Sequence, residues 1–204
     1  MIQLPRLYAI VDAAFFPTPN DLVVYVEQLK EGGCTLVQYR AKSGSARVTL
    51  NQARELKKLL GGAVKLIMND RADLCLAADF DGVHVGQDDL SPESVRRIIG
   101  PDRWLGVSTH NPEQLREADL TSADYLAIGP VFATSSKQKP DPVVGLDGVR
   151  RARQLTRKPL VAIGGITRAK AASVIEAGAD AVAVISDLLR DPRKSAEEFF
   201  RILR

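Results

Sequence analysis

The sequence predicts a (βα)8 barrel, the TIM-barrel fold, and three observations lead there. Short apolar runs recur along the whole chain, at Leu7–Val11, Thr35–Tyr39, Val64–Met68, Gly82–Val85, Trp104–Val107, Tyr125–Ile128, Leu160–Ile163 and Ala181–Ile185. Several lack polar alternation, the mark of strands covered on both faces, as in a parallel sheet. The stretches between them carry helical spacing. A weak internal repeat runs each time from a helix end through an acidic turn into a strand, at Asp79-Phe-Asp-Gly-Val-His-Val85, Ala123-Asp-Tyr-Leu-Ala-Ile128 and Ala179-Asp-Ala-Val-Ala-Val184. Strands and helices alternating about eight times point to a closed barrel. The alternative, an open doubly wound sheet, lacks its GxGxxG after Val11. With 204 residues the chain reads as one domain, residues 1–204, nearly minimal for the fold, so function must sit in short loops.

The elements follow in order. After the first run, Leu22, Val26 and Leu29 share one helical face, and Gly32-Gly33 suits its C-terminal end. Ala53, Leu56 and Leu60 repeat that spacing ahead of Gly61-Gly62. Ser91-Pro92, Asn111-Pro112 and Asp191-Pro192 each join a capping side chain to a first-turn proline, and Gln114 stands at the capping-box position. Gly178 suits a helix end before the eighth strand. The last helix places Ala196, Phe199, Phe200 and Leu203 on one face.

Composition excludes several classes. Lys+Arg number 28 against 25 Asp+Glu, and no segment collects the surplus of +3; with aromatics at only 5%, a nucleic-acid partner is disfavoured. No apolar run approaches the roughly 20 residues that cross a bilayer, so no membrane partner is expected. The N-terminus lacks a basic segment followed by an apolar stretch, so a cytoplasmic protein is expected. Cys34 and Cys75 have no CxxC spacing and read as reduced core thiols. A homo-oligomer remains open.

In such a barrel the chemistry gathers at the C-terminal strand ends. Arg40 and Lys42, two apart on an extended segment, point to one side and with Lys137 can surround a multiply charged anion. Asp70 and Asp89 are matching carboxylates of the kind Mg²⁺ uses beside a polyphosphate, with helix capping as the alternative role for each. Gly164-Gly165 and Ile185-Ser186 follow the seventh and eighth strands, where barrels commonly hold a phosphate monoester through backbone N–H groups. His84, inside a strand, reads as a barrel-interior histidine. His110, just past a strand end, reads equally as a proton-transfer group or as one that holds the loop. No HxH, HExxH or Cys/His cluster is present, which excludes a zinc site, and no GxSxG or P-loop lysine motif appears.

The strand ends read Gln38-Tyr-Arg-Ala-Lys42, Met68-Asn-Asp70, Gly82-Val-His-Val-Gly-Gln-Asp-Asp89, Gly106-Val-Ser-Thr-His110, Gly129-Pro-Val-Phe-Ala-Thr134, Gly164-Gly165 and Val184-Ile-Ser186. In this unbroken order, from Leu7 to about Ser186, the chain resembles the thiamine phosphate synthase family. The resemblance implies an enzyme that joins two small molecules, hydroxymethylpyrimidine diphosphate and hydroxyethylthiazole phosphate, and releases diphosphate with Mg²⁺ as cofactor. Carried over, Gln38, Arg40, Lys42, Asn69, Ser108 and Lys137 would hold the pyrimidine diphosphate. Asp70 and Asp89 would hold the metal. Thr134, Ser136, Gly165, Ile185 and Ser186 would hold the thiazole phosphate. The family's sixth-strand loop commonly reads Thr-x-Thr-Lys; here Ser136 keeps the hydroxyl and loses the methyl, and Gln138–Pro142 reads as a cover over the site. The related thiazole tautomerase branch shares the barrel and the His110-type position, without needing the metal aspartates. A non-catalytic barrel that binds a thiamine precursor and regulates a partner is a third reading. Arg40, Lys42, Asp70 and Asp89, all present, favour the synthase over both.

Overall fold

The computed structural model describes residues 2–134 and 141–204. Through them run β1 (Leu7–Asp12), α1 (Pro19–Glu31), β2 (Leu36–Arg40), α2 (Ala46–Leu60), β3 (Lys65–Asn69), α3 (Ala72–Ala77), β4 (Gly82–Val85) and α4 (Pro92–Ile99). The second half continues with β5 (Trp104–Thr109), α5 (Pro112–Asp119), β6 (Tyr125–Ile128), α6 (Gly145–Leu155), β7 (Leu160–Ala162), α7 (Arg168–Glu176), β8 (Ala181–Val184) and α8 (Pro192–Ile202). Every strand pairs in parallel with the next and β8 returns to β1, so the sheet closes into the expected (βα)8 barrel. The ladders of β1, β2 and β5 run one or two residues beyond their apolar runs, taking in Asp12, Arg40, Ser108 and Thr109.

Strand side chains alternate between two cores, as the two-residue period requires. Leu7, Ala9 and Val11 of β1, with Val37 and Tyr39 of β2, pack outward beneath the helices. Tyr8, Leu36, Ile67, Tyr125, Val161 and Ala181 fill the barrel interior. Following the inward positions toward the C-terminal strand ends, apolar residues give way to polar ones. Gln38 and Arg40 succeed Leu36, and Asn69 succeeds Ile67. The register sets Asp12 beside Arg40 and Asn69 beside His84. Inward parity thus delivers polar groups from neighbouring strands to one mouth.

At the opposite edge the acidic turns of the internal repeat tie strands together. Asp81, ahead of β4, accepts the Leu66 N–H at 2.9 Å and Lys65 Nζ at 3.3 Å. Asp124, ahead of β6, accepts the Leu105 N–H at 2.7 Å and Arg96 Nη2 at 2.6 Å. Asp180, ahead of β8, accepts the Leu160 N–H at 2.8 Å and Arg153 Nη1 at 2.8 Å. Each carboxylate satisfies the start of the preceding strand and is neutralised by a cation.

The helix caps form largely as the sequence indicates. Ser91, Asn111 and Asp191 accept the N–H of Ser94, Gln114 and Lys194. Gln114 differs from the capping-box expectation: its side chain takes the N–H of His110 at 2.8 Å, one residue outside the cap, and so anchors the histidine's backbone. Cys34 and Cys75 are buried free thiols, each pushed up to about 12 by burial, which makes them inert packing groups. Among the described residues no helix is long and apolar enough to cross a membrane.

Candidate active site

A cavity of about 470 Å³ opens at the C-terminal mouth of the barrel, and its two walls differ in chemistry. The wall built by β1 to β4 is charged. Arg40 donates from Nη1 to the buried carboxylate of Asp12, its register partner. Lys42 Nζ lies 2.5 Å from Asp70 Oδ2. Asp70 itself occupies the left-handed backbone region, at φ 61°, which sets its side chain apart from a helix-capping pose. The first turn of α3 has no side-chain cap, and Ser91 rather than Asp89 caps α4, so neither aspartate serves the capping role. Asp89 instead accepts the Gly86 N–H at 2.8 Å. Burial raises the Asp70 carboxyl above the usual carboxylate range, the adjoining Asp89 raises it further, and Lys42 opposes both. Two acids crowd one partly buried place.

Asn69 supplies a second sign of an unfinished site. Its Nδ2 is buried at the cavity wall and finds no partner among the described residues. A buried donor left unmade is costly, so such an atom fits a ligand oxygen. The donor set also fits a hard divalent cation. Asp70 and Asp89 bring two carboxylates to one edge of the cavity, and Mg²⁺ is bound through one or two carboxylates with water and phosphate oxygens filling its shell. Asp70 and Asp89 are the residues that would hold it.

The floor of the cavity is polar and buried. Gln38 Nε2 donates to Tyr8 Oη at 3.0 Å, and the Tyr8 and Tyr125 hydroxyls lie 2.9 Å apart. His84 sits 3.1 Å from Tyr125 through Nδ1 and 2.8 Å from Ser108 Oγ through Nε2. Burial pushes the His84 imidazole down to about 4, so the ring is neutral, as its barrel-interior reading anticipates. Tyr8 and Tyr125 were hidden from sequence reasoning inside apolar runs. Their inward parity with Gln38 and Ser108 was the available signal.

The wall built by β5 to β8 relies on backbone. His110 holds the carbonyl of Gly129 through Nδ1 at 2.6 Å, with Nε2 at 3.4 Å from Asp141 Oδ2. Both ring nitrogens are engaged, the pattern of a group that ties its loop in place. Thr134, Gly164, Gly165, Ile185 and Ser186 complete this side of the cavity. Gly165, at φ 64°, lies so close to the loop after β6 that a Cβ there would come within 2.5 Å of the Ala133 carbonyl oxygen. Only glycine meets both demands. Of the residues singled out in the sequence, Ser136, Lys137 and residues 138–140 of the cover segment lie outside the described residues.

Fold and site together define a (βα)8 barrel with charged side chains facing a glycine-lined backbone wall across one cavity. The chain belongs to the thiamine monophosphate synthase family, whose sequence model matches residues 7–188. It is 62% identical over 205 residues to the thiamine-phosphate synthase of Koribacter versatilis, covering 99% of this chain and 97% of that one. It is 48% identical over 182 residues to that of Chloroflexus aurantiacus, covering 89% and 83%. The structure of a thiamine phosphate pyrophosphorylase from Pyrococcus furiosus superposes with a TM-score of 0.86 at 34% identity, over 97% of this chain and 95% of that one. The chain is thus an enzyme, a transferase of thiamine biosynthesis.

Proposed function

We propose that this transferase condenses hydroxymethylpyrimidine diphosphate with hydroxyethylthiazole phosphate, giving thiamine phosphate and diphosphate. The observation that carries the proposal is the crowding of Asp70 and Asp89 beside Lys42 and an Asn69 Nδ2 without a partner among the described residues, across the cavity from Gly165. The charged wall suits a diphosphate with its cation; the backbone wall suits a monophosphate.

In this reading Gln38, Arg40, Lys42, Asn69, Ser108 and Lys137 hold the pyrimidine diphosphate, while Thr134, Ser136, Gly165, Ile185 and Ser186 hold the thiazole phosphate. Asp70 and Asp89 hold Mg²⁺, which when bound supplies positive charge to diphosphate oxygens. The bond between the methylene carbon and the diphosphate oxygen breaks first, and the electron pair leaves with diphosphate. The aminopyrimidine ring stabilises the cation left behind. Arg40 and Lys42 neutralise the charge gathering on the leaving group, and Asp12 keeps the Arg40 guanidinium in place for that contact. The thiazole nitrogen then donates its lone pair to the methylene carbon, forming the new bond. No proton moves in either step, in keeping with a site whose histidines are both held in structural hydrogen bonds. Positioning and electrostatics do the work.

The test is direct: the purified protein is incubated with both substrates and Mg²⁺, and products are separated by chromatography. Thiamine phosphate and diphosphate should appear in equal amounts, and a chelator should stop both. Absence of product, together with a His110-dependent tautomerisation of a thiazole carboxylate phosphate, would replace the synthase reading by the tautomerase one.

A further inference from the structure

We infer that Tyr8, Tyr125 and His84 form a one-directional hydrogen-bond wire across the barrel floor that fixes Gln38 as an acceptor and Ser108 as a donor toward the ligand. The wire thereby selects a heteroaromatic ring carrying an amino donor beside a ring-nitrogen acceptor. It rests on the synthase reading for the identity of that ring, and on hydrogen-bond geometry for its direction.

The direction follows from asking that every buried hydrogen of the row meet a protein acceptor. The Gln38 amide nitrogen only donates, so Tyr8 Oη accepts from it at 3.0 Å. The Tyr8 hydrogen then turns to Tyr125 Oη at 2.9 Å, and the Tyr125 hydrogen to His84 Nδ1 at 3.1 Å. With Nδ1 accepting, the imidazole proton sits on Nε2 and is donated to Ser108 Oγ at 2.8 Å. The Ser108 hydrogen is left over, as are the Gln38 carbonyl oxygen and the second Gln38 amide hydrogen, and among the described residues none of them has a further partner. Both residues line the cavity. The two ends are coupled: with Gln38 donating, reversing the Ser108 end would leave the buried Tyr8 hydrogen without a protein acceptor.

The row is also built into the barrel. Its members come from β1, β2, β4, β5 and β6, and Tyr8, Gln38, His84 and Tyr125 are all buried. Gly106 makes room for it, since a Cβ there would lie 2.1 Å from Tyr125 Cζ and 2.4 Å from His84 Nδ1. An apolar floor would be easier to satisfy; a complete polar row in this position specifies a pattern.

Two measurements test the wire. The first is the His84 tautomer in the parent protein, read from long-range ¹⁵N–¹H correlations, where the wire requires the Nε2–H form; the Nδ1–H form would overturn it. The second is calorimetric binding, in Mg²⁺ and without thiazole phosphate, of the aminopyrimidine diphosphate and its oxo analogue, which exchanges donor for acceptor. The parent should prefer the amino ring by about a hundredfold, and Tyr125→Phe should bring that preference below about tenfold while thiazole phosphate affinity stays unchanged. A folded Tyr125→Phe that keeps the parent's preference contradicts the inference. Should that variant not fold, Tyr8→Phe cuts the same row and carries the same two outcomes. If the parent binds neither pyrimidine, the synthase reading falls, and the tautomer alone upholds or overturns the direction.

Discussion

Aspartates at the two ends of this barrel live in opposite circumstances. At the N-terminal edge Asp81, Asp124 and Asp180 each accept a strand-start N–H and carry a cation within 3.3 Å. At the C-terminal mouth Asp70 and Asp89 crowd each other, and Asp70 is driven above the ordinary carboxylate range by burial and by its neighbour. The first group completes the fold. The second sets two carboxylates side by side at the cavity, where Lys42 pairs with Asp70 yet burial and Asp89 still outweigh it. The contrast teaches where to look for function in a barrel: at an acid such as Asp70, whose surroundings disfavour its charge, rather than at acids as such.

Substitutions can break that contrast from either side. The largest effect is expected at the mouth. Asp89→Asn should lower synthase turnover by about two to three orders of magnitude at fixed Mg²⁺, with melting temperature preserved. Steady-state kinetics alongside calorimetry check it, and near-normal turnover at low Mg²⁺ would return Asp89 to a purely structural role. On the backbone wall, Gly165→Ala drives a methyl against Ala133 and strains a positive φ. It should raise the KM for thiazole phosphate by about tenfold or more, with the pyrimidine diphosphate KM little changed. At the opposite edge, Asp124→Ala strands the Leu105 N–H and unpairs Arg96. It should cost about 2 kcal/mol, a fall of about 4–8 °C in melting temperature, and leave kcat alone.

Much of this was legible in the sequence. The strands follow apolar runs bounded by turn residues, and the caps at Ser91, Asn111 and Asp191 are local signals that tertiary structure kept. Arg40, Lys42, Asp70 and Asp89 stand out because a parallel barrel turns each strand end toward one mouth, Gln38 and Asn69 through the family resemblance, and all six line the cavity. Three things could not be read. Asp12 lies at the end of an apolar strand, and only the β1–β2 register pairs it with Arg40. Tyr8 and Tyr125 look like core aromatics until inward parity sets their hydroxyls in one row. The role of the repeated acidic turns also waits on pairing, because the N–H that each accepts belongs to a different strand. Long-range partnership, not local propensity, is what a single sequence hides.

The most direct test of the contrast is a single substitution with two readouts. The fold prefers the neutral form of Asp70, so the penalty for its charge is absent below the ordinary carboxylate pKa near 4 and grows as pH rises through the raised value. Asparagine tolerates the left-handed backbone there and removes the charge. Asp70→Asn, measured without divalent cation, should therefore melt at a higher temperature than the parent at pH 7, the gain fading below about pH 4, while its turnover with Mg²⁺ collapses. A variant that melts lower at pH 7 and still turns over would contradict the account, by placing Asp70 with the aspartates that hold the barrel together.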